Sequence, residues 1–243
     1  MSTTLSSTTD AALSIQGLHG GYGDIPVLDG VDISVRSGEV VAVLGANGAG
    51  KTTLLRAISG MLPTVRGSIN FLGQEISGLR AEKVAQRGIA HVPESRCIFP
   101  GLSVAENLTV GSFAAPRSNQ QEHVDRVVEL FPWMSKRMKQ RGGRLSGGEQ
   151  QMLAIGRALM GEPKMLILDE PSLGLSPRMG NEVFAALARI SETGVPMIVV
   201  EQSLNLSLQV ATRGYVLDRG RVVESADAEQ LVESSAIDSA YFG

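Results

Sequence analysis

Apolar and polar residues alternate at Leu13, Ile15 and Leu18 and again at Val31, Ile33 and Val35, the two-residue period of strands with one buried face. The turn-rich Gly20-Gly21-Tyr22-Gly23-Asp24 between them predicts an antiparallel pair, and Ser68-Ile69-Asn70-Phe71-Leu72 supplies a third strand. Val40 to Leu44, Met165 to Leu168 and Met197 to Val200 are instead apolar at every position, and each leads through a short loop into helical periodicity. Such runs fit strands covered on both faces. They predict a parallel sheet whose C-terminal ends gather polar residues into one crevice.

Between about residues 95 and 160 the period becomes helical, at Ser103 to Ser112, Glu122 to Leu130 and Gly148 to Met160, with few strand signals. This reads as a helical insertion into an α/β core. Tyr215-Val216-Leu217, a turn at Asp218-Arg219-Gly220-Arg221 and Val222-Val223 predict a hairpin, with a last helix near Asp227 to Ser234. Residues 1–12 are rich in Ser and Thr, lack the basic start and apolar core of a signal peptide, and read as a flexible tail. His91, between Ala90 and Val92, reads as a satisfied core residue, and Trp133 as packing in the helical lobe, while His19 and His123 carry no pattern.

Gly45-Ala46-Asn47-Gly48-Ala49-Gly50-Lys51-Thr52 matches the phosphate loop G-x-x-x-x-G-K-[ST] between one of these apolar runs and the helical pattern that begins at Thr53. The glycines let successive N–H groups turn inward towards phosphates, and the following helix adds the positive end of its dipole. Lys51 supplies a cation between the last two phosphates, and the Thr52 hydroxyl is a natural Mg²⁺ ligand. A glycine-rich turn with an accidental Lys-Thr is the alternative; the strand and helix on either side argue for the loop. Nucleoside triphosphate binding is the expectation.

Composition narrows the class further. At 243 residues, 43% of them hydrophobic, and with mean hydropathy +0.08, the chain can bury a large core as one domain with a smaller lobe. Lys and Arg number 22 against 25 acidic residues, so no basic excess calls for nucleic acid. The local cluster Lys136-Arg137-Met138-Lys139-Gln140-Arg141 reads as a solvated helix face, with a surface for a membrane partner as the second reading. The single Cys97 cannot form an internal disulfide, no Cys/His spacing suggests zinc, and a reducing cytoplasm fits best. No apolar run approaches the ~20 residues of a membrane span. Any membrane role comes through a partner.

Met165-Leu166-Ile167-Leu168 ends in Asp169-Glu170. Beside a phosphate loop, Asp169 can hold Mg²⁺ and Glu170 can orient and deprotonate an attacking water; the alternative is a pair of acids capping the next helix. Leu145-Ser146-Gly147-Gly148-Glu149-Gln150 is a second glycine-rich turn opening a helix, an anion site without a lysine or an ordinary cap. A GTPase would need an Asn-Lys-x-Asp guanine reader, and no asparagine here precedes lysine.

In this order, the phosphate loop, the Ser146-Gly147-Gly148-Glu149 signature and Leu168-Asp169-Glu170-Pro171 resemble the ATP-binding subunit of ABC transporters, over residues 13–243. The resemblance implies an α/β fold: a phosphate-loop ATPase core with a mixed sheet, an N-terminal antiparallel β subdomain and a helical subdomain near residues 95–160. It implies ATP and Mg²⁺, and a head-to-tail dimer with itself or a sister cassette in which Ser146, Gly147, Gly148 and Glu149 of one subunit face ATP held by Gly45 to Thr53 of the other. It places Tyr22 against adenine, with a tyrosine in a surface turn as the alternative, and Ser172 to Ser176 at the dimer interface. Glu94 stands where the family usually has a glutamine touching Mg²⁺ and the membrane subunit, and Gln202 where most members have a γ-phosphate-sensing histidine. A carboxylate at 94 can still ligate Mg²⁺ and an amide at 202 can still donate a hydrogen bond.

Val92-Pro93-Glu94-Ser95-Arg96, Val200-Glu201-Gln202 and the ending Ser239-Ala240-Tyr241-Phe242-Gly243 resemble the smaller ATPase of branched-chain amino-acid importers, a pattern largely shared by urea importers. The implied partners are transmembrane permease subunits and, indirectly, an external solute-binding protein, at the cytoplasmic face of the membrane. A soluble ABC ATPase acting on nucleic acid would call for coiled coils, paired cassettes or basic patches, and none is seen. An inactive cassette is disfavoured by the presence of Lys51, Thr52, Asp169 and Glu170 together.

Overall fold

The computed structural model describes residues 11–112 and 119–232. The last residues of the expected C-terminal helix, the ending at 239–243 and most of the expected tail lie outside them. Two sheets make the frame. The first is antiparallel, with β2 (Ile25–Arg36), β1 (Ala11–Tyr22), β4 (Thr64–Phe71) and β5 (Gln74–Glu75) adjacent in that order. The second runs β10 (Arg221–Asp227), β9 (Arg213–Asp218), β3 (Val40–Leu44), β8 (Met197–Glu201), β7 (Met165–Asp169), β6 (Ile89–Val92). All its pairings are parallel except β10 with β9, so the sheet is mixed.

The unbroken apolar runs follow from the layers on either side. Val41 and Val43 of β3, Ile167 of β7 and Ile198 and Val200 of β8 pack towards the antiparallel sheet and α1 (Lys51–Ile58). Val40, Ala42 and Leu44, with Leu166, Leu168, Met197 and Val199, pack on the opposite side with α3 (Val104–Gly111), α4 (Gln120–Leu130), α5 (Gly147–Leu159) and α6 (Pro177–Ser191). Every position is inside, at about 1.5–3 kcal/mol for each fully buried large side chain. The short helices α2 (Ala81–Gln86), α7 (Leu204–Ser207) and α8 (Ala228–Leu231) complete the described α-helices.

Two local expectations change. Gly20, Gly21 and Tyr22 belong to β1, and the turn is only Gly23-Asp24. The glycine serves close approach here: a Cβ on Gly21 would lie 2.0 Å from the Ile25 carbonyl oxygen. The basic cluster is not a helix face. Lys136 ends a 3-10 helix at Pro132–Lys136, and the chain then turns and bends to an isolated bridge between Arg141 and Ser103, because the carbonyls of Met138 and Gln140 accept from the Ala105 and Val104 N–H groups at the start of α3.

A half-buried ion pair joins the sheets. Arg213 of β9 donates from Nε to Glu39 Oε1 at 2.9 Å and from Nη2 to Glu39 Oε2 at 3.1 Å, and Nη2 also reaches the Ser34 carbonyl of β2 at 2.7 Å. Burial works to raise the Glu39 pKa, but Arg213 and the Arg36 N–H outweigh it and hold the carboxyl below its ordinary value.

Candidate active site

Three neighbouring strands, β3, β8 and β7, end side by side, with Leu44 paired to Glu201 and Asp169 to Val200. Their C-terminal loops therefore bring residues 45–52, 201–202 and 169–170 together, although the first lies more than a hundred positions before the other two in sequence. The phosphate loop turns tightly enough to need glycine: φ is 152° at Gly45, 82° at Gly48 and 107° at Gly50. A Cβ on Gly45 would lie 2.2 Å from the Leu217 carbonyl oxygen. Leu54, Leu55 and Ile58 bury one face of α1 and fix where its N-terminus points.

Lys51 is only 4% exposed. Its Nζ donates to the Gly45 carbonyl at 2.8 Å and the Ala46 carbonyl at 3.0 Å, and lies 3.4 Å from Glu170 Oε1. Thr52 Oγ1 donates to Asp169 Oδ1 at 3.2 Å. Gln202 Nε2 donates to Glu170 Oε2 at 2.9 Å and to Asn47 Oδ1 at 2.6 Å. Asn47, Lys51, Thr52, Asp169, Glu170 and Gln202 thus form one cluster. Glu170 takes φ 44°, a left-handed conformation uncommon for a side-chain-bearing residue, while its N–H donates to the Val200 carbonyl at 2.9 Å.

Burial pushes the Asp169 carboxyl up from 3.8 to about 6. The Thr52 hydroxyl and Lys51 act downward, and the charges of Glu170 and Glu94 act upward. Glu94 itself is exposed, two residues past β6. The donor set of a hydroxyl and carboxylates, too negative for its surroundings, suits a hard divalent cation such as Mg²⁺. Mg²⁺ is ordinarily held by one or two carboxylates, with water and phosphate oxygens completing its shell, and this donor set can supply that share.

Tyr22 is 39% exposed, at the end of β1. Its hydroxyl accepts from Arg56 Nη1 at 2.8 Å and lies 3.5 Å from Thr53 Oγ1, which ties it to α1. The Ser146 to Glu149 turn lies in a separate cluster. Ser146 Oγ accepts from the Glu149 N–H, the Glu149 carboxylate accepts from the Ser146 N–H at 2.9 Å, and Arg137 Nη1 holds Glu149 Oε1 at 2.7 Å. This is a capping box on α5 with two glycines in its first turn.

The sequence reading passed over Glu201, a buried carboxylate that ends β8, and the amide contact between Asn47 and Gln202. A lone acid closing an otherwise apolar strand was the available signal. His91 departs from its expected role: both ring nitrogens lack a hydrogen-bond partner, and burial, with the Arg56 charge, lowers its pKa to about 4. Trp133 packs in the helical layer as expected, donating to Met152 Sδ at 3.3 Å.

Residues 28–173 match the family model described as ABC transporter. The high-affinity branched-chain amino acid transport ATP-binding protein BraG of Pseudomonas aeruginosa is 45% identical over 222 residues, covering 91% of this chain and 95% of that one. The probable branched-chain amino acid transport ATP-binding protein LivF of Archaeoglobus fulgidus is 32% identical over 227 residues, 93% and 96% of the two chains. A nucleotide-free ATP-binding cassette from an ABC transporter superposes with TM-score 0.84 at 25% identity, over 96% of this chain and 99% of the other. With its phosphate loop, strand-end carboxylates and signature turn set on that same frame, the chain belongs to the ABC transporter family as one of its ATP-binding cassettes.

Proposed function

We propose that this chain hydrolyses ATP to power the import of branched-chain amino acids through permease subunits that hold it at the cytoplasmic face of the membrane. The single observation that carries the ATPase reading is the bonded cluster of Lys51, Thr52, Asp169, Glu170 and Gln202. In this reading the N–H groups from Gly45 to Thr53, with Gly48, Ala49 and Gly50 at the bend, surround the triphosphate, and Lys51 supplies the cation between its last two phosphates. Tyr22 stacks on adenine. Thr52, Asp169 and Glu94 hold Mg²⁺, which when bound neutralises charge on the phosphates. Glu170 accepts the proton of the attacking water, and Gln202 donates a hydrogen bond to the γ-phosphate.

The α5 N-terminus supports a head-to-tail dimer, with a sister cassette or a second copy. Ser146, Gly147, Gly148 and Glu149 form a helix start that faces anions without a lysine of its own, suited to complete an ATP site already neutralised by Lys51 of the partner. A groove of about 500 Å³ beside β6, lined by Met61, His91, Cys97, Phe99, Val110 and Arg157, supports a permease contact. Met61, Phe99 and Val110 are exposed there, an apolar patch of the kind that marks an interface. The solute assignment rests on the two relatives. No described helix is long and apolar enough to cross a membrane.

Two measurements test this. Glu170→Gln keeps equilibrium ATP binding and lowers steady-state hydrolysis about a hundredfold, and wild-type turnover in that variant removes Glu170 from the mechanism. The complex purified from native membranes contains permease subunits, and its ATPase in vesicles rises with a leucine-loaded binding protein. Stimulation by urea instead reassigns the solute.

A further inference from the structure

Glu201 lies at the point where two loops of the site meet. It is 2% exposed at the end of β8, after four buried apolar residues, and no lysine or arginine among the described residues pairs with it. A carboxylate is costly to bury unless every oxygen is satisfied. Here two backbone N–H groups bond it, one on each oxygen: Ser172 donates to Oε1 at 2.8 Å and Gln202 donates to Oε2 at 3.2 Å. Burial still raises its pKa above the ordinary value, against the lowering effect of the Ser172 side chain and of these N–H groups. Ser172 opens the loop after Glu170, where Leu173 and Leu175 N–H groups turn back onto the Glu170 and Ser172 carbonyls. Gln202 carries the amide that holds Glu170 and Asn47.

One side chain therefore spans the loop at 170–176 and the loop at 201–203, with one oxygen on each. A serine or threonine at 201 would offer a single oxygen, and an apolar residue would leave both loops untied.

We propose that Glu201 is a positioning residue that locks the loop after Glu170 to Gln202, so that displacement of the interface loop by the partner subunit is passed to the γ-phosphate contact. This rests on the reading of Gln202 as the γ-phosphate donor and of Ser172 to Ser176 as the interface loop. Glu201 touches no reacting atom; it acts through Gln202 and Ser172.

Glu201→Gln is the sharpest test, because the amide has one oxygen and one NH₂. Whichever way it turns, a donor faces either the Ser172 or the Gln202 N–H, and one tie is lost. In the assembled transporter we expect kcat to fall about tenfold with KM for ATP unchanged within twofold, since the phosphate loop is untouched. A purely structural role would add independently to other losses, so the decisive comparison is a double-mutant cycle with Gln202→Ala.

If Glu201 acts through Gln202, Glu201→Gln costs less than twofold once Gln202 is alanine. A full tenfold cost in both backgrounds, or wild-type kcat in Glu201→Gln, overturns the proposal. A fully active Gln202→Ala overturns the reading of Gln202 instead. Amide exchange reports on the tie independently of that reading: in Glu201→Gln the peptides spanning 170–176 and 201–204 lose protection together, and unchanged protection in both refutes the tie. Should the glutamine variant fail to fold, Glu201→Asp keeps the charge but is too short to span both loops, and the same cycle and exchange measurements apply.

Discussion

Asp169 gives the free subunit a pH-dependent instability that a neutral isostere removes. In the folded chain burial raises its pKa from 3.8 to about 6, whereas in the unfolded chain it ionises near the ordinary value. Between those two pH values the folded state keeps a proton that the unfolded state has released, so stability falls as pH rises and the penalty is fully present above about 6. At about 1.4 kcal/mol per pH unit, the displacement amounts to about 3 kcal/mol. Asp169→Asn keeps an oxygen for the Thr52 hydroxyl and removes the charge. Urea denaturation of the nucleotide-free subunit, with EDTA present, is the assay. The variant matches wild type near pH 4 and exceeds it by about 3 kcal/mol at pH 7 and above. The comparison of two chains at each pH cancels the other titrating groups. Added Mg²⁺ and ATP narrow the difference, because the cation favours the ionised carboxylate and stabilises wild type more than the variant. A difference between the chains that stays within about 0.5 kcal/mol from pH 4 to 7.5 refutes the reasoning.

Lys51→Ala weakens ATP binding about a hundredfold or more in an equilibrium titration with Mg²⁺, since the loop then holds a multiply charged chain without its side-chain cation; unchanged affinity sinks the phosphate-loop assignment. Arg213→Met leaves the half-buried Glu39 carboxylate without its cation and costs about 1.5–3 kcal/mol of unfolding free energy at pH 7, less than a fully buried pair would because solvent reaches the site. Because Arg213 and its neighbours hold the Glu39 pKa below 4.5, that contribution is present above pH 4.5 and fades as pH falls through the folded value. A loss under about 1 kcal/mol at pH 7, or one that grows on acidification, contradicts the role given to the pair.

The parts of the fold that sequence revealed most directly are those with a two-sided burial constraint. Val40 to Leu44 is apolar throughout because its alternate side chains enter two different layers, and a run with that property has few other homes. The phosphate loop and Asp169-Glu170 were legible for a related reason: few residue types supply tight positive-φ turns, a cation and strand-end carboxylates at those spacings. What stayed hidden depends on partners distant in sequence. Gly20 and Gly21 looked like a turn because the strands that crowd them from both sides are formed by residues 25–28 and 64–65. The basic stretch at 136–141 looked helical because its actual task, accepting hydrogen bonds from the first turn of α3, involves its carbonyls and not its side chains. Glu39 and Arg213 are separated by most of the chain, and neither shows on its own that it has a partner.

The strand order of the mixed sheet also sets when the ATP site can form during synthesis. β3 carries the phosphate loop and leaves the ribosome early, yet its two neighbours in the sheet are β8 and β9, roughly 150 residues later. At about 5–20 residues per second, that is a delay of about 8–30 s in which the nascent chain holds a strand apolar on both faces with neither edge paired. The interval is one in which a chaperone at the ribosome has something to cover. A chain stalled before residue 197 lacks both neighbours, so ribosome-bound fragments of that length would carry every residue of the phosphate loop and still lack the frame that shapes it.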